Sequence, residues 1–128
     1  MKFSLKLFTF LILAAGLTLA SCGRDDDDDD VTVPGENLTI KGSITTNTTW
    51  AAKNKYLLEG FVYVESGATL TIEPGTIIKG DKSTKATLII KPGAKIIAEG
   101  TKTKPIVFTS NQAKGSRNYG DWGGLIIL

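Results

Sequence analysis

The chain has 128 residues, with 15 lysines and arginines against 13 aspartates and glutamates, and a formal charge of +2 at pH 7. It contains no histidine, so the commonest general base and metal ligand is missing. Its single cysteine excludes an internal disulfide and a multi-cysteine metal site. The lysines are scattered rather than clustered with aromatic residues, which argues against a nucleic-acid partner. We expect no cofactor and no metal site.

The N-terminus has the layout of a secretory signal peptide. A basic start with Lys2 and Lys6 precedes an apolar run from Leu7 to Ala20, which is shorter than the ~20 residues that a membrane-spanning helix needs. The segment Leu19-Ala20-Ser21 leads into Cys22 and resembles the lipobox of bacterial lipoproteins. The resemblance implies cleavage before Cys22 and a lipid on its Sγ atom, which would anchor the protein in a membrane. An ordinary cleaved signal peptide is the alternative.

Six consecutive aspartates follow the cysteine: Asp25, Asp26, Asp27, Asp28, Asp29 and Asp30. Such a block repels itself and buries no apolar surface, so we expect an extended, solvated tether. An acidic cluster behind the lipidated cysteine also resembles the export signal of surface lipoproteins of Bacteroidota. The resemblance implies a lipid-anchored outer-membrane protein exposed at the cell surface. We therefore divide the chain into a signal peptide at 1–21, a lipidated tether at 22–36 and a folded domain at 37–128.

A short motif recurs in the folded part and predicts its architecture. The segment Val62–Gly67 is echoed at Leu70–Gly75 and at Leu88–Gly93. Each copy alternates apolar residues with outward-facing ones, as a half-buried strand does. Each ends in Ser-Gly or Pro-Gly, and Pro-Gly suits a type II turn with glycine at positive φ. An 18-residue shift aligns the second copy with the third. Short strands joined by such corners predict a solenoid.

The predicted fold is all-β, and it is a parallel β-helix that starts after the acidic tether. We predict strands at Phe61–Val64, Thr69–Ile72, Thr76–Lys79, Thr87–Ile90, Ala94–Ala98, Ile106–Thr109 and Leu125–Leu128. The segment Asn37–Leu58 is expected to cap the N-terminal end of the solenoid. A β-sandwich is the alternative, since it too uses many short strands. Because the sequence stops in an apolar strand where a solenoid needs a polar cap, we expect the natural chain to continue past Leu128.

Three longer motifs carry a family resemblance. They are Gly-Ala-Thr-Leu-Thr-Ile-Glu-Pro-Gly-Thr-Ile-Ile at Gly67–Ile78, Lys-Pro-Ile-Val-Phe-Thr-Ser at Lys104–Ser110, and Gly-Asp-Trp-Gly-Gly at Gly120–Gly124. Together they are similar to surface lipoproteins of Bacteroidota with a pectin-lyase-like fold. The resemblance covers just over half of the chain and implies a right-handed parallel β-helix. It implies no defined activity, because that family has none.

Pectin-lyase-like folds include polysaccharide lyases and hydrolases, and hydrolases use paired carboxylates about 5 to 10 Å apart. Glu65 and Glu73 precede corners, where turns favour polar residues, and we interpret both as structural. Asp121 and Trp122 lie in a glycine-rich insertion and form the best candidate for a ligand contact, because an exposed tryptophan stacks on sugars. The alternative, which we favour, is that Trp122 packs against the flank of the solenoid.

Two functions from different classes are compatible with these residues. The preferred one is a lipid-anchored cell-surface protein with a structural or binding role, adhesin-like or glycan-binding, to which we assign no catalytic residue. Its partners would be the membrane, through the lipid on Cys22, and a glycan or protein ligand. The alternative is a polysaccharide lyase or hydrolase whose catalytic residues lie beyond Leu128.

Overall fold

A computed structural model describes residues 34–128, so the predicted signal peptide, Cys22 and the aspartates at 25–30 lie outside the described residues. The described part contains nine strands and no helix, and therefore no helix able to cross a membrane. The strands are β1 (Asn37–Ile44), β2 (Thr48–Trp50), β3 (Lys55–Val64), β4 (Thr69–Ile72), β5 (Ile77–Gly80), β6 (Thr87–Ile90), β7 (Lys95–Ala98), β8 (Val107–Ser110) and β9 (Gly124–Ile127).

The strands form two parallel sheets, which confirms the predicted parallel β-helix. In the first sheet β1 pairs with β3. The first half of β3 pairs with β5 on its other side, and the second half pairs with β6. Next in the sheet, β5 pairs with β8 and β6 pairs with β9. In the second sheet β2, β4 and β7 stack in that order. All strand pairs within residues 34–128 are parallel, whereas a β-sandwich is built from antiparallel strands. The chain therefore winds from one sheet to the other and returns one layer further along.

The 18-residue shift between the second and third motif copies does not correspond to a turn of the β-helix, although β1 and β3 do stack at a spacing of 18 residues. It aligns β4 with β6, which lie in different sheets. The residues that stack are Val62 on Leu88 and Leu70 on Ile96, both 26 positions apart. The two copies align because strands of both sheets share one local pattern, an alternating apolar tetrapeptide followed by a Gly corner. Loop length, which that pattern does not record, decides which strands stack.

The core is a set of stacked inward-facing side chains from the two sheets. Val62 lies against Leu88 and Val64 against Ile90 in the first sheet, while Trp50 lies against Ile72 in the second. Burial alternates along β4 and the second half of β3, as the sequence predicts, whereas in β6 Thr87 is buried next to Leu88. Apolar burial of this kind is the main stabilising contribution in a fold whose layers contact only their neighbours.

The corners also form as predicted. Gly75 and Gly93 have φ of 88° and 83°, conformations that a side chain would strain. In the same turns the Thr76 N–H donates to the Glu73 carbonyl over 3.2 Å, and the Ala94 N–H donates to the Lys91 carbonyl over 3.0 Å. These four-residue turns are what allow four-residue strands to change direction between the sheets.

Most predicted strands match within a residue or two, and Thr69–Ile72 and Thr87–Ile90 match at both ends. The exception is Phe61–Val64, which is the second half of the ten-residue strand β3. The segment Asn37–Leu58 comprises β1, β2 and the start of β3, and it stacks in parallel register like the later strands. It therefore forms a further layer of the β-helix at this end of the described residues.

Candidate functional site

Asp121, one of the two predicted ligand contacts, is buried, with 2% of its surface exposed. Its Oδ2 atom accepts hydrogen bonds from the Ser110 hydroxyl over 2.7 Å and from the Asn118 N–H over 3.0 Å. Its Oδ1 atom lies 3.2 Å from the Lys82 ammonium. The Asn118 N–H, the Ser110 hydroxyl and Lys82 lower the pKa of Asp121 to about 2. The carboxylate therefore stays ionised and ties the loop before β9 to the end of β8.

Trp122, the other predicted contact, is half-buried and packs against the hydrophobic core. Its indole covers Gly80, the last residue of β5, and a Cβ atom at that glycine would collide with the ring. The neighbours of Gly80 in the stack are Leu58 and Ser110. Trp122 thus occupies the space of the side chain that Gly80 lacks. This is the flank-packing arrangement favoured from the sequence, and a ligand contact by Asp121 and Trp122 stays a prediction.

Two loops interlock beside this corner, one between β5 and β6 and the other between β8 and β9. The Lys85 ammonium donates to the Gly120 carbonyl over 2.6 Å. Asn111 donates through Nδ2 to Asp81 over 2.7 Å and accepts at Oδ1 from the Lys82 N–H over 3.1 Å. Together with the Lys82–Asp121 ion pair, these contacts hold the long β8–β9 loop against the short β5–β6 loop. The glycine-rich insertion is therefore fixed at its base.

An aromatic pair, one ring exposed and the other half-buried, lies on the outer face of the first sheet. Phe61 and Tyr63 are alternate residues of β3, and their side chains point away from the core because Val62 and Val64 between and beyond them are buried. Phe61 is 58% exposed, and the two ring centroids lie 6.2 Å apart in an edge-to-face arrangement. We call this pair the aromatic platform. Strand β3 holds its backbone rigid, since β1, β5 and β6 pair with it.

Charged and hydroxyl groups border the aromatic platform. The Lys91 ammonium lies 4.8 Å from the centroid of the Tyr63 ring and donates to both carboxylate oxygens of Glu65, over 2.9 and 2.8 Å. Ser43, the register partner of Tyr63, donates to Glu65 over 2.8 Å. The hydrogen bonds from Lys91 and then Ser43 lower the pKa of Glu65 below its ordinary value. The result is a fixed row of hydrogen-bonding groups next to the exposed ring of Phe61 and the half-buried ring of Tyr63.

Comparison with protein families identifies the fold independently. Residues 42–128 match the model of the pectate-lyase-like beta helix domain, which covers about two thirds of the chain. The chain belongs to this family. Neither the curated proteins nor the solved structures gave a match.

Within this pectate-lyase-like domain, Glu65, Asp81 and Asp121 are held as ionised hydrogen-bond acceptors. Hydrogen bonds from the Ser83 hydroxyl, and then from the side chain and N–H of Thr84, lower the pKa of Asp81 to about 2, and the pKa values of Asp121 and Glu65 are lowered as well. A general acid that cleaves a glycosidic bond needs the opposite shift, toward a carboxyl that keeps its proton. Among residues 34–128 no group of three His, Cys, Asp or Glu side chains is placed to hold a metal ion.

Sequence reasoning missed the aromatic platform. The alternation that identified Val62 and Val64 as inward-facing also places Phe61 and Tyr63 on the outer face. Two aromatic residues at successive outward positions of a strand were therefore the available signal. The hydrogen bonds from Lys91 and Ser43 to Glu65 could not be predicted from the sequence, because they depend on which strands stack.

Proposed function

We propose that this chain is a lipid-anchored protein of the cell surface whose β-helix domain binds carbohydrate without cleaving it. The lipid would be attached to Cys22, and the aspartates at 25–30 would direct the protein to the outer face of the outer membrane. The support for the anchor is the sequence Leu19-Ala20-Ser21-Cys22 after an apolar run, in a chain with no other cysteine. One acyl chain binds a membrane only marginally, so stable anchoring requires more than one.

The aromatic platform is the observation that carries the binding function. The C–H face of a sugar ring packs on an exposed aromatic ring, while its hydroxyl groups need hydrogen-bond partners at the ring edge. Phe61 and Tyr63 offer the rings, and Glu65, Lys91 and Ser43 offer charged and hydroxyl partners beside them. A hydrogen bond to a charged group is stronger than one between neutral groups, which favours a polyhydroxylated ligand over a purely apolar one.

Binding is favoured over cleavage because the carboxylates of Asp81 and Asp121 are ionised and already hydrogen-bonded within the domain. Asp81 and Asp121 have pKa values of about 2 and are each held by several donors, so neither retains a proton at neutral pH. Their hydrogen bonds link loops and strands of the domain itself. We therefore assign these acids to the stability of the domain and assign no catalytic step to them.

Direct binding measurements test this function. The purified full-length protein would be titrated with a panel of defined neutral and acidic oligosaccharides, next to the variants Phe61→Ala, Tyr63→Ala and Tyr119→Ala. Tyr119 is the matched control, since it is fully exposed on the loop before β9 and lies outside the platform. We expect at least one oligosaccharide to bind, with an affinity about tenfold lower in both platform variants and unchanged in Tyr119→Ala.

Two results would contradict the proposal. Equal affinities for the wild-type protein and the platform variants would show that the rings do not contact the sugar. Release of shortened oligosaccharides from the substrate would show catalysis, and the lyase or hydrolase hypothesis would replace the binding one.

A further inference from the structure

A groove of about 310 Å³ lies on the outer face of the first sheet, at the other end of β3 from the aromatic platform. Its floor includes Thr39, Leu57 and Lys79, which are neighbours in register on β1, β3 and β5. Lys55 and Asn111 contribute further lining. Leu57 and Tyr63 are six positions apart on β3, and the groove and the platform have no residue in common.

The charge of this groove is unbalanced. Lys55 and Lys79 both line it, and its lining contains no aspartate or glutamate. Within residues 34–128 the ion pairs join Lys41 to Glu59, Lys82 to Asp121 and Lys91 to Glu65, so neither groove lysine takes part in one. Lys79 is half-buried against its strand neighbours. A lysine with no carboxylate partner among residues 34–128 is free to pair with an anion bound beside it, and a hydrogen bond to a charged group is a strong one.

The walls of the groove are fixed rather than adaptable. The Asn111 side chain is held by the Asp81 carboxylate and the Lys82 N–H, and Asn111 directly follows β8, which continues the sheet. Thr39 and Leu57 belong to paired strands. A site with preset walls loses little conformational entropy when a ligand binds.

We propose that this groove binds an oxyanion, the carboxylate or phosphate group of a ligand, with the Lys79 ammonium as its main contact. Lys55 adds a second positive charge at the rim, and the Thr39 hydroxyl adds a neutral donor. The apolar side chain of Leu57 on the floor gives the carbon skeleton of the ligand a surface to pack on. This site does not depend on the carbohydrate function proposed for the aromatic platform.

The test is a titration of the full-length protein, labelled with ¹⁵N and held at constant ionic strength, with three probes: inorganic phosphate, glucuronate and glucose. The amide signals of Leu57 and Lys79 report on the groove. We expect phosphate or glucuronate to shift these signals saturably, and glucose to leave them unchanged. Saturation by phosphate alone would assign a phosphate-bearing ligand, and saturation by glucuronate would assign an acidic sugar.

Three variants make the test specific. Lys79→Gln removes the charge and should weaken binding about tenfold, which corresponds to about 1.4 kcal/mol. Lys79→Arg retains the charge and should retain binding, and Lys102→Gln removes an exposed lysine outside the groove and should have no effect. The proposal is overturned if neither anion saturates the groove signals, if Lys79→Gln binds as the wild type does, or if glucose binds equally well. Phe61→Ala should leave anion binding intact, which separates this result from that of the platform.

Discussion

The indole ring of Trp122 fills the space of the side chain that Gly80 lacks. The two residues are distant in sequence, yet a Cβ atom at Gly80 would collide with atoms of the ring. Gly80 ends β5, while Trp122 follows the buried Asp121 in the loop that leads to β9. A loop residue therefore completes a layer of the core, although β9, the strand that follows it, pairs with β6 and not with β5.

Gly80→Ala should destabilise the domain through this contact. The free energy of unfolding should fall by about 1–3 kcal/mol, the usual cost of overpacking a core. Backbone strain should add nothing to this cost, because the φ angle of Gly80 lies outside the left-handed region. Chemical denaturation measures the change. In a Trp122→Ala background the same substitution should cost less than about 1 kcal/mol, because the ring that it strikes is gone. Equal costs in the two backgrounds would disprove the contact.

Acid should destabilise the domain through Asp81 and Asp121. Their pKa values lie at about 2 in the folded protein against an ordinary value of 3.8, so the unfolded chain binds protons more readily. Their stabilising contribution is complete above the ordinary value and is lost as the pH falls toward about 2. We expect thermal stability to be level above about pH 5 and to decline below about pH 4.

Asp121→Asn isolates one of these two carboxylates. The variant loses its ion pair with Lys82 and should melt at a lower temperature at pH 7, with a shallower decline in acid than the wild type. Glu99→Gln, which changes an exposed acid, serves as the control. If Asp121→Asn and the wild type decline in parallel, the pKa of Asp121 is not lowered by folding.

Tyr56→Phe should destabilise the layer that contains Trp50. The Tyr56 ring stacks on Trp50 with centroids 4.9 Å apart, and its hydroxyl accepts a hydrogen bond of 2.8 Å from the Ala51 N–H. Phenylalanine keeps the stack but leaves that N–H without its partner, at a cost of about 1–3 kcal/mol in the free energy of unfolding. Tyr63→Phe on the outer face is the matched control and should cost less. A larger loss for Tyr63→Phe would contradict this account.

Cys22→Ser should release the protein from the membrane. Serine has no thiol to carry the lipid, so the variant should move from the membrane fraction to the soluble fraction, and the mass of the mature chain should lose its acyl component. Cell fractionation and intact-mass spectrometry measure both changes. A variant that still fractionates with the membrane would show that Cys22 is not the anchor.

Replacing the six aspartates at 25–30 by asparagine should separate anchoring from export. The variant keeps Cys22 and should remain in the membrane fraction, but it should lose exposure at the cell surface. Protease digestion of intact cells measures that exposure, with the wild-type protein as the control. Full digestion of the variant would mean that the acidic run serves only as a tether.

The sequence by itself determined the local structure. Alternation in Thr69–Ile72 and Thr87–Ile90 gave both strands at their correct ends, and Pro-Gly gave the corners at Gly75 and Gly93. These features depend on neighbours a few residues away, such as the φ angle that proline presets and the two faces of a strand. The same local signals predicted a parallel β-helix, because strands so short cannot bury a core without stacking.

Only the tertiary structure decided which strands stack and which side chains meet. The loop between β5 and β6 makes Leu88 stack on Val62, although the local pattern aligned it with Leu70. Burial of Asp121, the fit of Trp122 over Gly80 and the place of Lys79 in the groove follow from that stacking. Their partners come from other layers of the β-helix, and layers are related by loop lengths that a local pattern of apolar residues does not encode.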